Sequence, residues 1–341
     1  MPTPPAPVDT SRLSAPTRDG ATPSARGRSG GGVDVTASEL VALASEARRA
    51  SLDANRRVTS PRSGGYHSRR RGRGLDFDEH RHYQPGDDVR TIDWRVTARR
   101  GTSANQVYTK VFREERERPI LLAVDLRRHM YFGSRVAFKS VTACRTAAFL
   151  GWVAAEQGDR VGTLVLDDSG LRALRPKGGR RGVLASIRLL VERHRPDQAR
   201  AASAETSKLS TLVEGAAKMA VPGALVVVIS DFTGLDDYAR QLIGRLRHHH
   251  EVIGCFIYDA LEAEPPPPGL YPVSDGTRTR KIDLRNPEAR RHWMALFDER
   301  SNGLSELFVG LRLHLLRLGT HQGLTDSLAL LLQRRALRLG R

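Results

Sequence analysis

From Arg118 onward the chain alternates between short apolar runs and segments whose apolar residues recur every three or four positions. The run PILLAVDL (119–126) is continuously apolar and ends at a carboxylate, the pattern of a strand buried on both faces. RVGTLVLD (160–167), ALVVVISD (224–231) and EVIGCFIYD (251–259) repeat that pattern, and LRLHLLRL (311–318) predicts a closing strand. Between them the periodicity predicts helices at 135–156, 179–194, 208–220 and 236–249. Further helices are predicted from Pro287 to about 301, extending toward 309, and from about 324 to 339. PPPPGLYPVSDGTRTRKIDL (265–284) reads as a loop with short strands. Strands alternating with helices predict an α/β fold, a doubly wound, mainly parallel sheet with helices on both faces. Ligands of such sheets bind beyond the carboxyl ends of the strands, where the strand order reverses. Asp125 and Asp231 stand at two such ends.

The chain before Arg118 is built differently. Residues 1–35 are rich in Pro, Ser, Thr, Gly and Arg and hold too few large apolar side chains to offset their ordering entropy, so a disordered tail is expected. Over 36–60, Leu40, Leu43, Ala47 and Leu52 recur at near-helical spacing behind Ser38, a residue type suited to capping, which predicts one amphipathic helix. Residues 61–117 form an Arg/Asp-rich subdomain, and 118–341 the α/β domain.

Composition narrows the function classes. The 55 cations against 38 anions leave a formal charge of +17, which raises nucleic acid or an anionic membrane as partners. Two counts weigh against both. Only 6 of the cations are Lys, and the excess is spread along the chain: residues 1–60 carry 8 cations and 6 anions, 61–118 carry 14 and 9, and the remainder 33 and 23. Nucleic-acid binding through the RRRGRG stretch and the N-terminal tail is therefore the alternative reading rather than the leading one. No apolar run approaches the roughly 18–20 residues that span a bilayer, and the N-terminus lacks a secretory apolar core, so a cytoplasmic protein without a membrane span is expected. Cys144 and Cys255 lie in apolar segments away from any zinc-ligand spacing and are expected as buried free thiols.

The block GYHSRRRGRGLDFDEHRHYQPGDDVRTIDWRVTARRG (65–101) is neither periodic nor low in complexity. It interleaves Arg71, Arg73, Arg81, Arg90 and Arg99 with Asp78, Asp87, Asp88 and Asp93. Phe77, Tyr83 and Trp94 add flat apolar surfaces, and Pro85-Gly86 a tight turn. Such a segment can order itself through Arg–carboxylate pairs and guanidinium–ring stacking. The Arg-Gly-Arg-Gly run (71–74), the Phe77-Asp78 step, the Tyr83–Asp88 turn and the Ile92–Arg99 stretch resemble the hallmark of the DUF58 (domain of unknown function 58) family. More loosely, the resemblance extends over most of 38–340, including Phe132-Gly133-Ser134 with Lys139, the GDRVG turn (158–162) and the ISDF strand end (229–232). It implies a von Willebrand factor A-like domain used for protein contact and a protein partner, a MoxR-type AAA+ ATPase or that ATPase's client. No catalytic activity is established for that family, so the resemblance gives no ground to expect an enzyme, and no cofactor is expected.

In von Willebrand A domains a metal-dependent adhesion site begins Asp-x-Ser-x-Ser, and its oxygen ligands hold Mg²⁺ with one position left open. Here the Asp is Asp125, the two Ser positions are Arg127 and His129, and the later Asp is Asp231. Arg127 has donors only and cannot ligate a cation, and His129 offers nitrogen, which Mg²⁺ disfavours. Thr206, Ser207, Ser210 and Thr211 are open candidates for a third oxygen. The expectation is a degenerate, metal-free site in which Arg127 supplies the missing positive charge and receives a partner's carboxylate. The plainer alternative leaves Arg127 and Arg128 projecting into solvent.

No phosphate-binding GxxxxGK[ST] occurs, and no Ser or Cys nucleophile with a partnered His can be assembled. The HHH run (248–250) is read as a helix end, and PKGGRRG (176–182) as an exposed turn into a helix. The sequence thus points to a non-enzymatic interaction module, adaptor-like or chaperone-like, with Asp125, Arg127, His129 and Asp231 as partner-binding candidates.

Overall fold

The structure is a computed structural model that describes residues 31–50, 75–84, 87–100, 107–114, 119–197, 207–274, 279–324 and 328. These fall into two units, one drawn from 63–117 and the other from the rest of the described chain.

In the first unit, β1 (Leu75–His82) pairs antiparallel with β2 (Tyr108–Glu114), with an irregularity between Phe77 and Glu79. The second unit opens with α1 (Ala37–Ala42), whose cap is Thr36 rather than Ser38: the Thr36 hydroxyl accepts from the Glu39 N–H at 3.3 Å. The single helix expected over 36–60 is interrupted at Leu43 and resumes over 44–50. In the first unit, α2 (Trp94–Arg100) lies between β1 and β2 in sequence.

The larger sheet has six strands: β3 (Pro119–Asp125), β4 (Arg160–Asp167), β5 (Gly170–Gly178), β6 (Leu225–Ser230), β7 (Glu251–Tyr258) and β10 (His314–Gly319). Their spatial order is β10-β7-β6-β3-β4-β5, parallel throughout except for β5, which runs antiparallel to β4 at the edge. This is the doubly wound, mainly parallel α/β sheet expected above, with helices on both faces, and its winding reverses between β3 and β6. β8 (Leu270–Ser274) and β9 (Thr279–Asp283) form a separate antiparallel pair.

The helices are α3 (Lys139–Glu156), α4 (Gly179–Arg193), α5 (Leu209–Met219), α6 (Asp237–Leu246), α7 (Ala260–Ala263) and α8 (Pro287–Gly310). Strand alternation explains the two cores. Ile120, Leu122 and Val124 of β3 face α1, α3 and α4, while Leu121 and Ala123 face α5, α6 and α8. The central helix α3 is buried on nearly every side because α1 covers what the sheet does not. Trp152 of α3 donates to the Leu40 carbonyl at 3.0 Å, and Glu39 pairs with Arg145, so α1 is tied down by polar as well as apolar contacts. Gly32 permits a close backbone approach, since a Cβ there would lie 1.9 Å from the Val136 carbonyl oxygen.

Two expectations are corrected. The helix expected from 135 begins at Lys139, because 134–136 form bends and Phe138 is an extended cap. Strand β5 was not anticipated: its sequence GLRALRPKG mixes polar and apolar residues because it is a half-exposed edge. Part of the region read as an exposed turn (176–182) therefore closes this strand. Both cysteines are buried free thiols, and burial pushes Cys255 up to about 12. Among the described residues no helix is long and apolar enough to cross a membrane. Most of the expected tail and of the last helix lies outside the described residues, as do Arg71, Arg73, Pro85 and Gly86.

Candidate functional site

Asp125 ends β3 and Ser230 ends its neighbour β6, with Asp231 next, so the reversal of winding brings both carboxylates together. Each is fully buried. The Ser230 hydroxyl donates to Asp125 Oδ2 at 2.7 Å and accepts from the Phe232 N–H at 2.8 Å. That bond helps hold Phe232 in the left-handed region (φ 56), a conformation a bulky residue seldom adopts, just past the strand end.

Arg127 is buried, with 1% of its surface exposed. Its Nε donates to Asp125 Oδ1 at 3.0 Å and its Nη2 to Asp125 Oδ2 at 2.8 Å, a bidentate fork. Nη2 also donates to the Thr233 carbonyl at 2.9 Å and Nη1 to the Ser207 carbonyl at 3.4 Å. The guanidinium thus ties together the loops that follow β3 and β6 and the segment that leads into α5. The projection into solvent considered for Arg127 does not occur.

His129 lies in the short 3₁₀ turn after β3, with Nε2 at 3.0 Å from Asp231 Oδ1 and 3.5 Å from Asp125 Oδ2. Lys139, the first residue of α3, is completely buried, and its Nζ donates to Asp231 Oδ2 at 2.6 Å and to Glu262 Oε1 at 2.9 Å. Glu262 is fixed by a capping box at the start of α7, where its Oε2 accepts from the Asp259 N–H at 2.9 Å. Arg300 of α8 reaches Glu262 Oε2 at 3.4 Å while its guanidinium lies over Phe256 and Phe297. Asp259 receives hydroxyls from Ser134 and Thr320 and the N–H groups of Ser134 and Leu261.

The result is a row of ionisable groups, buried from Arg127 to Glu262 and partly exposed at Arg300: Arg127, Asp125, His129, Asp231, Lys139, Glu262, Arg300. Burial alone would raise Asp125, but the charge of Arg127 and then His129 hold it far below the carboxylate range. Burial likewise opposes ionisation of Asp231, and His129, Lys139 and Arg300 overcome it. For Lys139, burial favours the neutral amine, yet Asp231 and Glu262 raise its pKa and keep it charged.

Asp125, His129 and Asp231 offer ligand atoms all within 4.8 Å of one another. Their chemistry does not fit a hard divalent cation. Both oxygens of Asp125 accept from Arg127, and Asp231 accepts from Lys139 and the Thr233 N–H. Three carboxylates, Asp125, Asp231 and Glu262, meet three cations, Arg127, Lys139 and Arg300, besides His129, so no net negative charge is left to hold a divalent cation. Of the possible third oxygen donors, Ser207 directs its carbonyl to Arg127, and Thr206 lies outside the described residues.

Sequence reasoning singled out Asp125, Arg127, His129 and Asp231, and the structure brings these four together. It did not identify Lys139, Glu262 or Arg300 as members of the row. The Phe132-Gly133-Ser134 motif with Lys139 was the available signal for one of them.

The described signature residues form a separate constellation. Asp87 accepts from the Gln84 N–H at 2.9 Å, and Tyr83 donates to the Asp87 carbonyl at 3.3 Å. Asp88 accepts from the Arg90 N–H at 3.0 Å. Asp93 takes the Arg95 and Val96 N–H groups on one oxygen and His80 on the other. These carboxylates therefore shape backbone turns. Phe77, Asp78 and Arg81 lie in β1, and Arg90, Trp94 and Arg99 are exposed.

The sequence matches the family described as "Protein of unknown function DUF58" over residues 79–302. The uncharacterized proteins Mb1516 of Mycobacterium bovis and Rv1480 of Mycobacterium tuberculosis are each 26% identical over 204 residues, covering 60% of this chain. That match spans only 61% of the relatives' own length. Among solved structures, the conserved hypothetical protein BatB from Bacteroides thetaiotaomicron is similar at a TM-score of 0.40 and 13% identity, covering 65% of this chain and 99% of BatB. The pilus adhesin SpaC from Lactobacillus rhamnosus GG is similar at 0.33 and 11%, covering 66% and 31%. The family match takes in most of the chain, from the signature block through the row of buried charges to α8, and the protein belongs to the DUF58 family.

Proposed function

We propose that this chain is a non-enzymatic protein-interaction module, adaptor-like or chaperone-like, that works in the cytoplasm with a MoxR-type AAA+ ATPase or its client. Its adhesion-type site is degenerate and metal-free. The observation behind this reading is the Arg127 guanidinium, which engages both oxygens of Asp125 where a cation would need them. Arg127 is a strut rather than a receptor: its donors are committed inside the protein, so a partner meets the loops that the row holds in place. Ser230 is fully buried and engaged with Asp125 and the Phe232 N–H, which supports the non-enzymatic reading.

Two experiments test this. Calorimetric titration with Mg²⁺ is expected to give no EDTA-reversible binding, and a stoichiometric event lost in Asp125→Ala overturns the metal-free reading. Co-purification of the full chain with the MoxR-type ATPase of the same genome is expected to depend on ATP. Absence of that association overturns the partnership.

A further inference from the structure

The signature unit carries a surface whose chemistry differs from that of its interior. Trp94 is 65% exposed and Val89, five residues earlier, is 60% exposed, two large apolar side chains open to solvent in a small unit. On α2 the exposed residues are Trp94, Arg95, Ala98 and Arg99, which at 100° per residue fall within an arc of about 140°. Val96 and Thr97 face inward, where the Thr97 hydroxyl accepts from the Tyr108 N–H at 3.0 Å. Arg90 is exposed beside Val89 in the preceding turn.

The acidic residues of the same stretch are turned to other work. Asp87, Asp88 and Asp93 are half-buried and accept backbone N–H groups, so they hold turns. Among the described side chains of residues 87–99, the exposed ones are the Trp94 indole, Val89, Ala98 and three guanidinium groups. Trp and Arg are the residue types that dominate binding hot spots, Trp by filling an apolar pocket and Arg by forked contact with carboxylates.

We infer that Trp94, Val89, Arg90, Arg95 and Arg99 form a docking face for an acidic protein surface, one that offers an apolar pocket to the indole and carboxylates around it to the arginines. Charge complementarity selects the acidic partner. A lone indole with Ala98 one helical turn on along the same face selects a pocket over a nucleic-acid strand, because a run of bases needs successive aromatic platforms. The inference rests on the proposed partnership and assigns it a surface.

The test uses the full chain and exploits the burial of the other two tryptophans, Trp152 (3% exposed) and Trp293 (6%). The fluorescence difference between the wild type and Trp94→Phe reports Trp94 alone. In the free chain this signal is expected to be quenched by acrylamide, and addition of the MoxR-type ATPase with ATP is expected to shield it. Trp94→Ala and the pair Arg95→Glu with Arg99→Glu are expected to weaken ATPase binding about tenfold or more, with unchanged circular dichroism. A Trp94 signal shielded in the free chain means that the protein covers this face itself, and overturns the inference. Wild-type binding that the variants leave intact overturns the face but not the partnership. Loss of all ATPase binding by the wild type overturns both, and shielding by a single-stranded oligonucleotide instead of the ATPase assigns the face to nucleic acid and overturns the inference.

Discussion

Replacing Arg127 by Met keeps much of the side-chain volume and deletes the guanidinium. Asp125 then loses its two forked bonds, of 3.0 and 2.8 Å, and retains Ser230 as its strongest remaining neutral donor. The Thr233 carbonyl loses its 2.9 Å bond as well. Removing one partner of a fully buried ion pair destabilises by about 3–5 kcal/mol, because a charge is left without compensation. With a urea dependence of about 2–3 kcal/mol per M, the unfolding midpoint at pH 7 should fall by roughly 1–2.5 M.

The pH dependence supplies the sign. In the wild type the folded-state pKa of Asp125 is depressed, so its pairing stabilises above the unfolded value of about 3.9 and is lost as pH falls below it. In Arg127→Met, burial raises the carboxyl instead, so the variant loses stability as pH rises above that value. The gap between the two proteins should therefore be wide at pH 7 and narrow toward pH 4. The assay is urea unfolding at both pH values, followed by fluorescence. The double variant Asp125→Asn with Arg127→Met, which removes both charges, should recover part of the loss. A single variant within about 1 kcal/mol of wild type at pH 7 would refute the strut role.

Other outcomes follow from the same structure. Lys139→Met leaves Asp231 and Glu262 without their shared 2.6 and 2.9 Å donor and should destabilise by at least about 3 kcal/mol in thermal or chemical unfolding. Wild-type stability should fall steeply below about pH 4, as the depressed carboxyls of Asp125 and Asp231 are forced to protonate; a flat profile down to pH 3 contradicts this. Gly254→Ala would place a Cβ 2.5 Å from Phe308 Cζ and 2.9 Å from Leu315 Cδ1, and should lower stability by about 1–3 kcal/mol. Asp93→Ala removes the acceptor for the Arg95 and Val96 N–H groups and should weaken α2 by about 1 kcal/mol, read by hydrogen exchange in that segment.

The strands that carry the site were legible because parallel strands buried on both faces need unbroken apolar sequence, which PILLAVD and LVVVIS provide. Their terminal carboxylates were legible for the same reason, as charges abutting apolar runs. β5 was hidden because an antiparallel edge strand tolerates mixed residues, and the cap of α1 because Thr36 and Ser38 are chemically equivalent capping residues two positions apart. In the signature block, Arg and Asp are interleaved in sequence. The backbone sends Asp87, Asp88 and Asp93 to N–H groups and leaves Arg90, Arg95 and Arg99 exposed, a sorting that needs the turn geometry.

By itself, then, the sequence determined the α/β class, the family, and the substitution of Arg127 and His129 where hydroxyl ligands were expected. The tertiary structure decided what that substitution means. A loop arginine is ordinarily solvated, and only the juxtaposition of β3 with β6 buries this one against Asp125. The rest of the row is equally non-local: Lys139 meets Asp231 and Glu262 from 92 and 123 residues away. Charges that far apart in the chain become partners only when the fold excludes water between them, and no local pattern records that.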